Sequence, residues 1–388
     1  MMNRYFDYAA THPMTHAALD HYVAMAQNVY GNPSSLHTQG YMAEDYLTEA
    51  RRLFKQALGI DVLRGKLLFT GSGSESNYIA LTSLRKRMKG KEVITSWHEH
   101  DSVSLPLEEW EREGVIVHRL KLKDGKFDLD QFTHLLDRDI GLVTLQHVNS
   151  DTGWVLPLHH IQCLLKYRKI LFHVDGVQAL GKIPISVEGI DAYSFSAHKV
   201  GGPKGVGALY MERLIPPPYY PGHHQYGIRP GTIDVPGISS FVKALGERQE
   251  QLTRFQRNFM AFRAILKEKT SRYVNWLEFD EQSPAIFSFV SHQRDGQWWM
   301  TELDDLGFQV SAGSACRAGQ NGPNRMLEAL GYETSACHGL VRISFGAQTT
   351  VEDTSALADA IVTLARRVEH HEQTFSRRRT PSHFTSAD

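Results

Sequence analysis

The chain has 388 residues, which at about 150 residues per domain predicts two or three domains and leaves ample length for a buried core. Apolar residues make up 41% of the chain and charged residues 22%, which excludes a disordered protein. The 42 basic and 43 acidic residues leave a net charge of −1, which argues against a protein that coats nucleic acid or an acidic membrane.

Cysteine is scarce in this chain. The three cysteines, Cys163, Cys316 and Cys337, include no C-x-x-C pair, which rules out a disulfide framework and a cysteine-rich metal site on this chain alone. So few cysteines indicate a reducing compartment, and we expect a cytoplasmic protein. No apolar run reaches about 18 residues and the first residues lack an apolar core, so we expect neither a membrane span nor a secretory signal.

The apolar pattern then predicts alternating helices and strands. An amphipathic helix is predicted over 41–58, where Gly59 ends it. Strands are predicted at 66–70, 92–96, 115–122, 141–148, 170–175, 191–197 and 206–211, and further helices at 74–90, 128–137 and 157–169. Strands that alternate with helices predict an α/β fold with a mostly parallel sheet.

This pattern stops near Met211 and resumes on a smaller scale. A proline-rich loop over 215–232 leads into one long helix or two over 237–271, and short strands and helices follow from about 272. The domains expected from this change are a large domain at 15–260, a smaller α/β domain made of 1–14 and 261–375, and a disordered tail at 376–388.

Polar groups follow five of the predicted strands, where ligands bind in a parallel sheet. The segment 71–76 (GSGSES) opens a helix whose N-terminal N–H groups attract phosphate, although it lacks the G-K-[ST] of a Walker A loop. The other four are 98–102 (HEHDS), 149–153 (NSDTG), Asp175 with Gln178, and 194–199 (SFSAHK).

A phosphate site, a buried carboxylate and a lysine together predict pyridoxal 5'-phosphate (PLP). The lysine must be an unprotonated amine to form an imine, which burial near other cations favours. The carboxylate must pair with the pyridine nitrogen so that the ring can accept electrons. By residue type and spacing alone, Lys199 and Lys204 are both candidates for the lysine.

Ten motifs follow one another along nearly the whole chain. They are YFDYAAT (5–11), YGNPSSLHTQG (30–40), FTGSGSESN (69–77), EHDSV (99–103), HVNSDTG (147–153), FHVDGVQALGKIPI (172–185), SFSAHKVGGPKGVGALY (194–210), RPGT (229–232), SAGSACRAG (311–319) and VRISFGAQTT (341–350). In this order they resemble the motifs of the cysteine desulfurases of the NifS/IscS type, which belong to the class V aminotransferase group of fold-type I PLP enzymes. The resemblance implies a large domain with a seven-stranded sheet between helices.

The resemblance also implies a set of cofactor residues. Lys199 would be the Schiff-base lysine, Asp175 would pair with the pyridine nitrogen, His100 would stack on the ring and shuttle protons, and Gln178 would bind the ring hydroxyl. The residues implied at the phosphate are Gly73, Ser74, Ser196, His198 and, from the other subunit of a homodimer, Thr232. Arg342 would pair with the substrate carboxylate, a task suited to a bidentate guanidinium.

Some positions depart from the family motifs. Ser150 stands where the family has an asparagine that contacts the ring hydroxyl, and Asn149 precedes it. We expect Ser150 at the cofactor and Asn149 at the substrate, and which of the two replaces the ring-hydroxyl contact stays open. His12 replaces a threonine of the opening motif, close to the expected pocket.

The cysteines offer more than one nucleophile. Cys337 has small neighbours and a histidine beside it, so the residues alone leave it as a competitor of Cys316. Cys163 is expected to be buried packing on a helix. The resemblance assigns the nucleophile to Cys316, in a segment (311–323) whose small residues predict a mobile loop, with Arg317 favouring the thiolate.

The implied activity converts L-cysteine to L-alanine and leaves a persulfide on Cys316. The sulfur would pass to an acceptor protein for iron–sulfur cluster assembly or thiolation, without a metal, nucleic acid or membrane. Two alternatives remain at this stage: a PLP lyase or aminotransferase acting on another amino acid such as selenocysteine, and a non-catalytic sulfur-transfer partner.

Overall fold

A computed structural model describes residues 4–217, 224–313 and 323–379, with side chains described as far as residue 369. Its helices are α1 (His16–Asn28), α2 (Thr38–Ala57), α3 (Gly73–Arg85), α4 (Asp101–Arg112), α5 (Leu129–Leu135), α6 (Leu158–Leu165), α7 (Val235–Glu250), α8 (Leu252–Thr270), α9 (Gly296–Asp305), α10 (Arg325–Ala329) and α11 (Val351–Arg379). Its strands are β1 (Arg4–Tyr5), β2 (Lys66–Thr70), β3 (Glu92–Ser96), β4 (Ile116–Leu120), β5 (Leu122–Lys123), β6 (Lys126–Phe127), β7 (Ile140–Gln146), β8 (Leu171–Asp175), β9 (Ala192–Ser196), β10 (Gly207–Met211), β11 (Asn275–Leu277), β12 (Ile286–Val290), β13 (Phe308–Gln309), β14 (Ser311–Ala312) and β15 (Leu340–Ser344).

The larger sheet has seven strands in the order β2-β10-β9-β8-β7-β3-β4. The run from β9 to β4 is parallel, whereas β10 is antiparallel to both of its neighbours. Strands covered by helices on both faces are apolar throughout, and β7 is accordingly buried over its whole length. The α/β prediction with a mostly parallel sheet is therefore confirmed.

A smaller antiparallel sheet follows in the order β11-β12-β15-β14. The chain start joins this part of the molecule, because β1 pairs with β13 and Asp7 bridges to Ser344. Aromatic side chains dominate the core on this sheet, where Phe6, Phe262 and Phe345 lie in one cluster. The domain boundary near residue 260 stays a prediction.

Two helical regions differ in detail from the predicted elements. The stretch predicted as one helix or two is two helices, because Gln251 is both the C-cap of α7 and the N-cap of α8. The helix α11 continues to Arg379, into the tail that we predicted to be disordered from residue 376, and that disorder stays a prediction. No proline interrupts that helix before Pro381, whose ring disfavours helical backbone at the residue before it. None of the helices in the described residues has the length and apolar character that a membrane span needs.

Candidate active site

The carboxyl ends of β7, β8 and β9 bring the predicted strand-end residues together. Asp175 is the last residue of β8, where it lies opposite Gln146 of β7 and Ser194 of β9. Lys199 closes a short 3-10 turn that directly follows β9. The helices α3 and α4 begin at the same edge, so their N-termini and the strand ends form one site.

Asp175 is buried at the centre of this site, with 7% of its surface exposed. Its Oδ2 accepts a hydrogen bond from Asn77 Nδ2 at 2.8 Å, and its Oδ1 accepts one from the Val177 N–H at 3.0 Å. Asn77 Nδ2 also donates to Ser102 Oγ at 2.9 Å. Asn77 and Ser102 were not predicted as site residues, although both lie in motifs that follow a strand.

His100 caps the N-terminus of α4. Its Nδ1 accepts the N–H of Ser102 at 3.1 Å and lies 2.8 Å from the Ser102 hydroxyl. A hydrogen-bond chain therefore runs from Asp175 through Asn77 and Ser102 to His100, the residue predicted to stack on a cofactor ring.

Lys199 and Gln178 meet at one backbone carbonyl. Lys199 Nζ donates to the carbonyl oxygens of Ala9 at 2.6 Å and Ala10 at 2.7 Å. Gln178 Nε2 donates to the same Ala9 oxygen at 2.8 Å. The rival Lys204 is exposed, so of the two candidate lysines the structure places Lys199 in the site.

Buried basic groups surround this lysine. Lys182 is 4% exposed and donates to Gln178 Oε1. Burial lowers the pKa of Lys182 well below its ordinary value, and nearby Lys199, Arg248 and Arg342 lower that pKa further. His12 accepts from Arg248 Nη2 at 3.0 Å, and burial, followed by Arg248, lowers the pKa of His12 well below 6.5. This side of the site therefore disfavours any additional positive charge.

The N-terminus of α3 faces the end of β9. A Cβ on Gly73 would lie 2.5 Å from Val177 Cγ2 and 3.3 Å from Ser196 Cβ, so only glycine fits without a shift. Ser196 Oγ is buried and has no hydrogen-bond partner among the described residues. An unpaired hydroxyl beside a helix N-terminus suits a bound anion such as phosphate.

The other three residues predicted at the phosphate differ in how exposed they are. Ser74 is exposed in the first turn of α3. His198 Nδ1 lies 3.1 Å from Thr11 Oγ1, and burial lowers the pKa of His198 to about 4. Thr232 is exposed in the segment that precedes α7, and its predicted contact with the other subunit stays a prediction.

Arg342 lies on β15 and is 3% exposed. Its Nη2 pairs with Asp7 Oδ1 at 2.7 Å and its Nη1 donates to the backbone oxygen of Ser150 at 3.0 Å, while its Nε has no partner among the described residues. Ser150 thus contacts Arg342 through its backbone, and its predicted contact with the cofactor stays a prediction.

Asn149 has a structural task in the turn that follows β7. Its Oδ1 accepts from the Asp151 N–H at 3.0 Å, the Thr152 N–H at 2.9 Å and Thr152 Oγ1 at 3.0 Å, and the residue is 1% exposed. The carbonyl oxygen of Asn149 is thus committed to the turn, and the substrate contact that we predicted for this residue stays a prediction.

The cysteines differ sharply in exposure. Cys316, the predicted nucleophile, and its neighbour Arg317 lie outside the described residues. Cys337 is 2% exposed, its Sγ lies 3.6 Å from the Tyr332 oxygen, and burial raises the pKa of its thiol, so it packs rather than competes as nucleophile. The predicted burial of Cys163 is wrong, since it lies exposed on the face of α6 opposite the buried Ile161.

Comparisons with known proteins identify the family of this chain. The Aminotransferase class-V family model matches residues 4–357. The cysteine desulfurase IscS of Aeromonas hydrophila subsp. hydrophila is 34% identical over 365 residues, which are 90% of this chain and 89% of that relative.

Solved structures of similar fold support the same family. A NifS-like protein has a TM-score of 0.87 at 26% identity and covers 94% of this chain and 100% of its own. A structure of SspA in complex with cysteine has a TM-score of 0.74 at 28% identity over 88% of this chain and 98% of its own. The resemblance seen in the motifs is confirmed, and the chain belongs to the class-V aminotransferase family, in the group of the NifS and IscS cysteine desulfurases.

Proposed function

We propose that this protein is a PLP-dependent cysteine desulfurase that converts L-cysteine to L-alanine and keeps the sulfur as a persulfide on Cys316. The observation that carries the proposal is the meeting of Asp175, Lys199 and the N-terminus of α3 at one edge of the sheet. The group of relatives supports the substrate, and it does not favour a lyase for another amino acid or a non-catalytic partner.

The residues present fit PLP. The unpaired Ser196 hydroxyl and the N–H groups at the start of α3 suit its phosphate. The carboxylate of Asp175 suits the pyridine nitrogen, and the amine of Lys199 suits the aldehyde. When bound, the cofactor supplies an electron sink that stabilises negative charge on the substrate carbon.

The chain's own residues prepare this chemistry. Lys182 and Arg248 lie on the same side of the site as Lys199, and cationic surroundings suit a lysine that must react as a neutral amine. Arg342 would orient the substrate through its carboxylate, with Asp7 balancing the buried charge. Arg342 and Asp7 are fixed before the substrate arrives, which lowers the entropic cost of orienting the substrate.

Sulfur transfer would rest on Cys316. Its thiolate attacks the substrate sulfur, a sulfur–sulfur bond forms, and the carbon–sulfur bond breaks with its electrons left on the carbon that becomes alanine after protonation. We further propose a homodimer in which Thr232 serves the partner's site, and a reducing cytoplasm where the persulfide survives until an acceptor protein takes the sulfur for cluster assembly or thiolation.

The test begins with purified protein to which PLP is added. We expect a visible absorbance band that Lys199→Ala abolishes and that the matched control Lys204→Ala keeps, because Lys204 is exposed. We expect alanine and sulfide from cysteine in the presence of a thiol. A protein that stays colourless with PLP would refute the proposal.

The nucleophile is tested separately by trapping the persulfide with a labelled alkylating agent and mapping the labelled cysteine. We expect the label on Cys316 and loss of desulfuration in Cys316→Ser. Desulfuration at the wild-type rate in Cys316→Ser would refute that assignment, since a lyase would not need this thiol.

A further inference from the structure

We infer that Asn77 and Ser102 are positioning residues that link Asp175 to His100 and fix His100 as the neutral ring with its proton on Nε2. The inference deepens the proposed function, because it concerns the same site and rests on it. It follows from the direction of each hydrogen bond in the chain Asp175–Asn77–Ser102–His100.

The direction is set first at Asn77, which is 1% exposed. Its Nδ2 donates to Asp175 Oδ2 at 2.8 Å and to Ser102 Oγ at 2.9 Å, so both amide hydrogens are used. Its Oδ1 is buried and has no partner among the described residues. Rotating the amide would turn Oδ1 towards a carboxylate that only accepts, so Asp175 determines the orientation at the cost of one unpaired oxygen.

Ser102 passes this direction on to His100. Because Ser102 Oγ accepts from Asn77, its own hydrogen is free to point to His100 Nδ1, 2.8 Å away. The Ser102 backbone N–H donates to the same Nδ1 at 3.1 Å. A backbone N–H only donates, so Nδ1 carries no proton and the neutral ring carries its proton on Nε2.

The start of α4 reinforces the neutral form. His100 is the N-cap of this 12-residue helix, and a positive charge is disfavoured at a helix N-terminus. A protonated Nε2 has no lone pair to accept another proton, and the cation would form only by protonation of Nδ1, which would break the hydrogen bonds that Nδ1 accepts. His100 therefore acts as a neutral hydrogen-bond donor through Nε2, and the base that removes the substrate proton is another group.

The tautomer can be observed directly in the PLP-loaded protein with 15N-labelled histidine, with His100→Gln used to assign the signal. We expect the NMR pattern of an unprotonated Nδ1 and a protonated Nε2. A protonated Nδ1, alone or in a doubly protonated ring, would overturn the inference.

Kinetics test the linkage between the two positioning residues. We expect Asn77→Ala and Ser102→Ala each to lower kcat about 10-fold, with KM for cysteine within about 2-fold, since each removes one hydrogen bond of the chain. Because they act on one chain, we expect the double variant to lose about 10-fold rather than about 100-fold. Multiplicative losses, or unchanged kcat in both single variants, would contradict the linkage.

A control variant and a second, smaller substitution support the kinetic test. Ser83→Ala is the matched control, because Ser83 is buried on α3 with an unpaired hydroxyl, and we expect wild-type kinetics. Ser102→Ala removes a single oxygen and keeps the test open if Asn77→Ala does not fold. Wild-type protein that lacks the visible band with PLP would refute the proposed function, whereas a band together with the wrong tautomer would refute this inference alone.

Discussion

At the scale of single residues, Arg342 is a buried charge that its partners hold in place. It is 3% exposed and is held by Asp7 and by the Ser150 backbone oxygen. A guanidinium fixed in this way presents a planar donor surface, whereas a lysine would present one point charge. The pairing of Arg342 with the substrate carboxylate stays a prediction.

We predict that Arg342→Lys raises KM for cysteine about 10- to 100-fold and changes kcat less, because it removes a charge-assisted hydrogen bond to the substrate. Steady-state kinetics of alanine formation measure this. The matched control is Arg119→Lys. Arg119 lies on the edge strand β4 and pairs with Glu111 of α4. Equal KM values in Arg342→Lys and wild type would remove Arg342 from the substrate site.

The cysteines give a second prediction at this scale. Cys163 is exposed and Cys337 is buried with a raised pKa, so a thiol reagent should modify Cys163 within minutes and Cys337 only when the protein unfolds. Mass spectrometry of peptides after timed alkylation checks this order. Cys163→Ser should keep wild-type desulfuration, and a loss of activity in that variant would show a role that its position on α6 does not suggest.

Residue-level prediction from the sequence worked where position in a strand decides the outcome. Asp175 and Lys199 lie at or just after strand ends, which meet at one edge of a parallel sheet. Asn77 and Ser102 were missed although both lie in the quoted motifs. Their contacts depend on how α3 and α4 pack against each other, and this packing is not encoded in any short motif.

At the scale of elements, the start of α3 concentrates the requirements of the site. Ser72 caps the helix by accepting the Glu75 N–H at 3.0 Å, and Gly73 follows it. The glycine is needed for close approach rather than for an unusual backbone angle, because Val177 and Ser196 leave no room for a Cβ.

We predict that Gly73→Ala weakens PLP binding and destabilises the fold by about 1–3 kcal/mol, because the added methyl group must displace Val177. Fluorescence titration with PLP and urea unfolding measure the two effects. Gly246→Ala in α7 is the matched control, since no atom lies within 4 Å of its new Cβ, and it should stabilise the protein by about 0.5–1 kcal/mol. Wild-type affinity in Gly73→Ala would mean that the phosphate does not approach this helix.

Strands were predicted more accurately than helices. The strands at Lys66–Thr70 and Glu92–Ser96 have the predicted bounds, because apolar runs between turn residues are short and sharply limited. The helix predicted over 157–169 is only Leu158–Leu165. Helix ends depend on capping contacts and tertiary packing, and the sequence gives these only weakly.

At the scale of the whole molecule, several titratable groups are buried in the folded protein. Burial lowers the pKa of His98 to about 3 and the pKa values of His147 and His173 to about 4, and it lowers that of His12 well below 6.5. Burial acts oppositely on Glu99 and raises its pKa to about 8. These groups couple the fold to pH because their protonation differs between the folded and unfolded chain.

Acid lowers the free energy of unfolding, because the unfolded chain binds more protons than the folded protein. Between pH 6.5 and pH 4.5 the unfolded chain binds protons that the folded protein does not bind on the four histidines with a pKa of about 3 or 4, which are His98, His147, His173 and His198. His12 acts in the same direction, whereas only the folded protein keeps a proton on Glu99. Without His12, a difference of three protons makes the free energy of unfolding fall by up to about 4 kcal/mol per pH unit as the solution becomes more acidic. Urea unfolding midpoints across this range measure the slope.

His98 contributes one proton to this dependence of the free energy of unfolding on pH. Both of its ring nitrogens are buried without a partner among the described residues, and its ring lies edge-on to Trp154. We predict that His98→Phe stabilises the protein at neutral pH, because it removes two unpaired polar atoms, and lowers the acid slope by about 1.4 kcal/mol per pH unit. His159→Phe, on the exposed face of α6, should leave the slope unchanged. An unchanged slope in His98→Phe would mean that His98 takes up a proton in the folded protein, which its buried position should prevent.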